Sequence, residues 1–271
     1  MPDPSRTSRQ VERWVGDLCR REGDELVAES PLELRLGDRP VAVTMRTPGH
    51  DEELAAGFFL TEGVIGRGEE LESVARCPHA GAGDVMVVRL AGDREGPAAE
   101  LAGRAMYMSS SCGVCGKQSI ERVRLRLRAI VGGFTVTPAV LRSLPDRLRS
   151  AQATFDRTGA LHAAGLFTVG GEPIVVREDV GRHNAVDKAV GHELLRGRTP
   201  IDPAVMLVSG RVGFEVIQKA AMAGIAVVAA VGAPSDLAAE LAEEAGVTLV
   251  GFLRGERFNV YTHPRRVAAS G

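Results

Sequence analysis

From residue 138 onward the chain alternates helix and strand, and this alternation limits the fold more than any other feature of the sequence. The pattern predicts a helix over 138–153, with Pro145 as a point of kinking. A hairpin follows over 161–169 and 174–177, turned by Gly170 and Gly171. Helices are then expected over 181–195, 213–223 and 235–245, separated by strands over 205–209, 225–231 and 248–253. Helices covering both faces of one sheet give a three-layer α/β sandwich, and the alternation favours a largely parallel sheet. Sites in such sheets lie beyond the carboxyl ends of strands. Three loops meet that criterion: 177–184 (REDVGRHN), Ser209-Gly210-Arg211 and Arg254-Gly255-Glu256-Arg257.

The first third is β-rich instead. Residues 25–29, 32–36 and 41–46 alternate apolar and polar side chains, and Gly37-Asp38 is a hairpin turn. Asp51-Glu52-Glu53 opens a helix that buries Leu54, Phe58 and Phe59 and stops near Gly63, acidic residues suiting its first turn. Another strand is expected over 84–90 and a loose loop over 91–103, while the polar first ten residues are expected to be disordered. Ile120, Val123, Leu127 and Val131 recur at helical spacing among arginines, and Gly132-Gly133 ends that helix. The change of pattern places a boundary near residue 136, giving a smaller N-terminal α+β domain over 1–135 and an α/β domain over 136–271.

A net charge of −2 provides no global basic field for nucleic acid. The longest apolar run, 225–231, is too short to span a bilayer, and the N-terminus lacks the apolar centre of a signal peptide, so a cytoplasmic protein without membrane insertion is expected. The four cysteines, at 19, 77, 112 and 115, do not make a disulfide framework in a chain of this length.

Cys112 and Cys115 fall in the turn SSSCGVCGK (109–117), ahead of the basic helical segment. A thiolate there gains from the helix dipole and from Lys117, and glycines flanking Cys115 leave the sulfurs open. Four readings stand side by side. Structural zinc needs a second ligand pair, for which Cys77-Pro78-His79 is a poor substitute. A thioredoxin-like redox pair needs a βαβ context. Buried structural thiols sit badly beside three serines and two glycines, and a nucleophilic or sulfur-carrying cysteine is the fourth reading.

The block 178–188 (EDVGRHNAVDK) is dense in charge and lies at a strand-to-helix junction, with His183 and Asp187 on one helical face. It reads either as a ligand-recognition or proton-transfer element or as an ordinary exposed helix start. His162 reads equally as a satisfied core histidine. Arg211, Arg254 and Arg257 stand just past strands, where guanidinium forks suit pyrophosphate oxygens.

Taken together, Arg46-Thr47-Pro48, Glu53-Leu54-Ala55 through Glu62-Gly63, the Ser-Cys-Gly-Val-Cys-Gly turn, His162-Ala163-Ala164, the 178–188 block, Ser209-Gly210-Arg211 and the Arg254 loop resemble the formate dehydrogenase accessory sulfurtransferase (FdhD) family, collinearly from about residue 25 to residue 266. The resemblance implies a cytidine-deaminase-like α/β second domain and a homodimer. It implies that a cysteine desulfurase passes sulfur to Cys112 as a persulfide, with Cys115 auxiliary. The sulfur would go on to bis(molybdopterin guanine dinucleotide) molybdenum cofactor for formate dehydrogenase, the client. The family's cofactor-binding segment falls on Phe252, Leu253, Arg254, Gly255, Glu256 and Arg257, with Arg211 and His183 as further candidates and guanine nucleotide as a mimic of the cofactor. No metal site of the protein's own is implied. The helix starts at Gly181-Arg182-His183-Asn184 and Ser209-Gly210-Arg211-Val212 lack the cysteines a deaminase zinc site needs, and the real Cys pair lies in the other half, so deamination is not expected.

Overall fold

A computed structural model describes residues 3–66, 68–78, 84–92, 129–131 and 133–268. Cys112, Cys115 and most of the loop expected over 91–103 lie outside these residues, as does the helix expected over 119–131 apart from its last three positions, which are irregular.

The second half builds a six-stranded sheet from β7 (His162–Phe167), β8 (Pro173–Asp179), β9 (Val205–Val208), β10 (Val227–Ala230), β11 (Thr248–Arg254) and β12 (Arg257–Val260). Their order is β12-β11-β10-β9-β7-β8. Only β9, β10 and β11 are mutually parallel, so the sheet is mixed where the alternation predicted a largely parallel one. The reason is local. The β7–β8 hairpin brings two antiparallel strands, and β7, not β8, pairs with β9, again antiparallel. At the far side Gly255 and Glu256 turn β11 back as β12. Gly255 at φ 54 takes the left-handed first position of a two-residue hairpin loop.

Side chains alternate across this sheet with period two. Val205, Leu207, Val227 and Ala229 face one way, onto Leu141, Leu144 and Leu148 of α2 (Pro138–Ser150). Met206, Val208, Val228 and Ala230 face the other, onto α4 (Arg182–Leu194), α5 (Phe214–Met222) and α6 (Asp236–Ala245). The α/β three-layer arrangement is as expected. The helix expected over 138–153 is divided, however: α2 ends at Ser150, and a short α3 (Ala153–Thr158) follows, closed by Gly159 at φ 67.

In the first half, β3 (Ser30–Leu36), β4 (Arg39–Arg46), β5 (Leu71–Arg76) and β6 (Asp84–Leu90) form a four-stranded sheet in the order β4-β3-β6-β5. Leu32, Leu34 and Leu36 fill one face together with Met86, Val88 and Leu90. Across them lies α1 (Asp51–Thr61), whose Leu54, Phe59 and Leu60 are buried. The opposite side of α1 packs on α4, so one buried cluster runs from Leu34 through α1 and α4 to Met206 and Val228. The helices meet backbone to backbone. A Cβ on Gly57 would lie 1.9 Å from the Asp187 carbonyl oxygen, and one on Gly191 would lie 1.8 Å from that of Glu53.

The N-terminus departs from expectation. β1 (Arg6–Val15) and β2 (Leu18–Val27) form an antiparallel arm, tied at its base by Arg157 to Glu25. Residues expected to be disordered are paired here because backbone hydrogen bonds need no apolar face, and this arm buries almost none. Trp14, Val15 and Leu18 at its tip are exposed.

Candidate functional site at one end of the large sheet

β8, β9, β10 and β11 all end, and β7 begins, at the same edge of the six-stranded sheet. This brings together His162, the 179–183 junction, Ser209-Gly210-Arg211, the 231–234 loop and 252–257. Backbone bonds stitch the loops: Ser209 N–H donates to the Ala163 carbonyl (2.9 Å), Gly232 N–H to that of Gly210 (3.1 Å), and Phe252 N–H to that of Gly232 (2.9 Å). A Cβ on Gly232 would stand 2.7 Å from the Gly210 carbonyl oxygen, so this close approach needs glycine. Three loops distant in sequence thus form one polar rim.

The residues expected to hold cofactor divide sharply on this rim. Phe252 adopts a left-handed φ of 54 and is 42 % exposed. A bulky side chain rarely takes that conformation, and such strain is found where the surroundings hold a residue for use. Leu253 is fully buried in the α2-side core, which leaves only its backbone for a ligand. Arg254 Nε donates to the Val231 carbonyl at 3.0 Å. Glu256 is drawn away by Arg142, at 3.1 Å. Arg257 is exposed and pairs directly across from Arg254 in the β11–β12 ladder. Like charges directly opposite on a hairpin repel unless an anion lies between or near them. Arg211 is exposed and has no hydrogen-bond or ion-pair partner among the described residues.

The charged block 178–188 is mostly not at the rim. Glu178 accepts from the N–H groups of Thr154 (3.0 Å) and Phe155 (2.9 Å) and so serves the start of α3. Asp179 is fully buried, with Lys188 at 2.7 Å, and accepts from the N–H groups of Thr47 and Gly181. Lys188 also donates to the Thr47 carbonyl. Asp187 accepts from Thr61 Oγ1 (2.7 Å) and Lys219 Nζ (2.9 Å), and Lys219 also reaches Glu62. Asp187 and Lys188, considered as ligand groups, therefore act as buried ties between α4, α1 and α5. Burial pushes the Asp187 carboxyl up to about 6, against the pull of Lys219 and Thr61, so it remains ionised at neutral pH. Burial opposes the Lys219 charge, but Asp187 and Glu62 more than offset it and hold the ammonium above the ordinary lysine range.

His183 does reach the rim, with its side chain 30 % exposed. Its Nε2 accepts from Arg182 Nε at 3.3 Å. Burial, then the Lys219 cation, pushes the imidazole down to about 4. A base depressed in the folded state stabilises the fold above the ordinary histidine pKa, and that contribution is lost as pH falls through the folded value. Ring-proton NMR should therefore give a His183 midpoint near 4; a midpoint at the ordinary histidine value would remove this account. His162, at the start of β7, stands beside Gly210, where partial burial and then the Arg182 cation hold its imidazole below the ordinary range.

Two features of the described residues were missed in the sequence. One is Glu215, in the first turn of α5, which lies 3.9 Å from His183. An acidic residue four places after the strand-end Gly210-Arg211 pair was the available signal. The other is a cavity of about 530 Å³ beside the start of α1, floored by Arg46, Asp51, Arg76 and Asp84. Arg46 is fully buried and grips Asp51 with two guanidinium nitrogens, at 2.8 and 2.9 Å. Among the described residues no cluster of three or more His, Cys, Asp or Glu side chains is disposed to hold a metal, and no helix is long and apolar enough to cross a membrane.

Comparison with known proteins agrees with this architecture. The chain is 52 % identical over 252 residues to a sulfur carrier protein FdhD of Streptomyces avermitilis, covering 90 % of this chain and 89 % of the relative. It is 47 % identical over 269 residues to a sulfur carrier protein FdhD of Mycobacterium tuberculosis, covering 96 % and 97 %. The fold superposes on the crystal structure of a proposed formate dehydrogenase accessory protein from Desulfotalea psychrophila, with a TM-score of 0.78, 26 % identity and coverage of 98 % and 100 %. Residues 27–268 match the FdhD/NarQ family, and the chain belongs to that family.

Proposed function

We propose that this protein is a sulfur carrier serving formate dehydrogenase maturation. Cys112 thiolate would attack the terminal sulfur of a persulfide on a cysteine desulfurase. The sulfur–sulfur bond of the donor breaks, its cysteine leaves as thiolate, and Cys112 holds the sulfur as its own persulfide. That sulfur, zero-valent in the persulfide, is then passed to bis(molybdopterin guanine dinucleotide) molybdenum cofactor, which as the substrate would supply the two electrons that take it to sulfide, and Cys112 returns to a thiolate. Cys115 is auxiliary, and the working unit is a cytoplasmic homodimer.

The observation carrying the cofactor half of this reading is the convergence of Arg211, Arg254, Arg257 and the strained Phe252 on one sheet edge. The guanine nucleotide tails of such a cofactor present pyrophosphates, which guanidinium groups bind, and bases, which stack on an aromatic ring. The glycine-tight approach of the loops leaves backbone accessible beside them. The names of relatives matched along nearly the whole chain support the sulfur half.

Intact-protein mass spectrometry after incubation with a cysteine desulfurase and cysteine tests the carrier step. The expected result is a reductant-sensitive gain of sulfur, mapped to Cys112 and absent from Cys112→Ala. No gain, with guanine-nucleotide binding intact, would leave a cofactor-binding chaperone instead. Equal dependence on Cys112 and Cys115, with disulfide turnover in the absence of a desulfurase, would mark a thiol–disulfide oxidoreductase.

A further inference from the structure

The same sheet end that gathers these arginines also holds a carboxylate beside His183, at the start of α5. Glu178 is occupied by α3, Asp179 is buried against Lys188, and Glu256 is held by Arg142. Glu215 remains. Its side chain is 22 % exposed, and His183 Nε2 lies 3.9 Å away, too far for a hydrogen bond. That nitrogen already accepts from Arg182, so it carries no proton to offer Glu215. The carboxylate is nevertheless fixed in place. It folds back over the glycine before α5, where a Cβ on Gly213 would sit 3.0 Å from Glu215 Oε2 and 3.9 Å from Arg182 Nη2. The first turn of α5 stabilises its charge. A site made only for phosphate gains nothing from such a group, which would repel the ligand. A carboxylate is useful there if the ligand also presents hydrogen-bond donors.

Resting on the reading of this rim as a nucleotide site, we infer that Glu215 is a specificity-determining residue that reads the base of the bound nucleotide through its donor edge. Guanine offers two adjacent donors on its Watson–Crick edge, the ring N1–H and the exocyclic N2–H₂, and one carboxylate can accept both. Adenine presents an acceptor at N1, and hypoxanthine lacks the exocyclic amine. The geometry allows this division of labour. β9 precedes the loop that leads to Glu215, and β11 leads into Arg254; they lie two strand spacings apart, or ~10 Å. A nucleoside diphosphate can extend over such a distance with its phosphates at Arg254 and Arg257 and its base at Glu215.

Isothermal titration of the full chain with GDP, inosine diphosphate and ADP tests this assignment. Wild type should prefer GDP to both others. Glu215→Gln, which keeps shape and removes the charge, should weaken GDP by roughly 5- to 100-fold, the range for loss of a bidentate base contact, and abolish the preference over inosine diphosphate. Arg254→Ala should weaken all three nucleotides alike. Thermal melting of both variants, expected at the wild-type temperature, separates loss of contact from loss of fold. An undiminished GDP preference in folded Glu215→Gln overturns the assignment while leaving the nucleotide site standing. Absence of nucleotide binding by wild type overturns the site reading and this inference together.

Discussion

A Gly191→Ala chain should be destabilised by about 4 kcal/mol or more, a large share of a domain's total stability. The direction is informative because helix propensity favours alanine over glycine by ~1 kcal/mol in a helix interior. The contact outweighs it. The added methyl would meet the Glu53 carbonyl oxygen at 1.8 Å and Gly57 N at 2.8 Å. These are backbone atoms, which cannot rotate aside as a side chain end can, so α1 and α4 would have to separate along their whole seam. Separation removes packing from Ala185, Ala189, Val190, Leu54 and Ala55, all in contact within one core. Gly57→Ala should behave alike, since its Cβ would meet the Asp187 carbonyl. Urea denaturation with the yield of soluble protein is the check; a wild-type midpoint in either variant would show that the helices do not touch as described.

Lys219→Met should cost roughly 3–5 kcal/mol at neutral pH, the range for removing one partner of a buried ion pair. Lys219 Nζ contacts Thr61 Oγ1 at 3.0 Å, Glu62 Oε1 at 2.8 Å and Asp187 Oδ2 at 2.9 Å. Methionine fills the space but leaves Asp187 as a buried charge with only the Thr61 hydroxyl. The Asp187 carboxyl, already raised to about 6 by burial, would rise further. A raised acid favours the fold while it is protonated, and that contribution is lost as pH rises through the folded value. The gap between wild type and Lys219→Met should therefore narrow at pH ~5 compared with pH ~7. A second change, Asp187→Leu, should recover much of the loss, because it removes the stranded charge. An equal penalty at both pH values, or no recovery in the double variant, would sink this account.

The parts of the fold that were legible in the sequence are those where burial imposes a period. Val205 to Val208 and Val227 to Ala230 are fully apolar and flanked by helices with one apolar face, and both strands lie where expected. The arm β1–β2 was illegible for the opposite reason, since neither of its faces is buried and charges sit on both. β12 has four residues, and its Arg-Phe-Asn-Val alternation is too short to mark a strand on its own. Strand direction was only partly legible: Gly170-Gly171 announces a hairpin, but nothing local says that β7 rather than β8 will join β9. The site shows the same limit. Arg211 follows β9, Arg254 ends β11 and Arg257 opens β12, so a rule about strand ends finds them. Asp187 and Lys188 look exposed because their partners, Thr61, Lys219, Thr47 and Asp179, come mostly from other elements. A charge pattern read along one helix cannot reveal a counter-charge supplied from elsewhere in the fold.

The α1–α4 seam also limits how this molecule can move. Two helices in backbone contact, tied by Glu53 to His192 near one end and by Thr61 to Asp187 near the other, have no room to slide past one another. A shift of one residue would drive methyl groups into carbonyl oxygens. Shear between the small and large sheets is thereby excluded as a working motion. The small and large sheets therefore turn and translate as one piece through the α1–α4 frame.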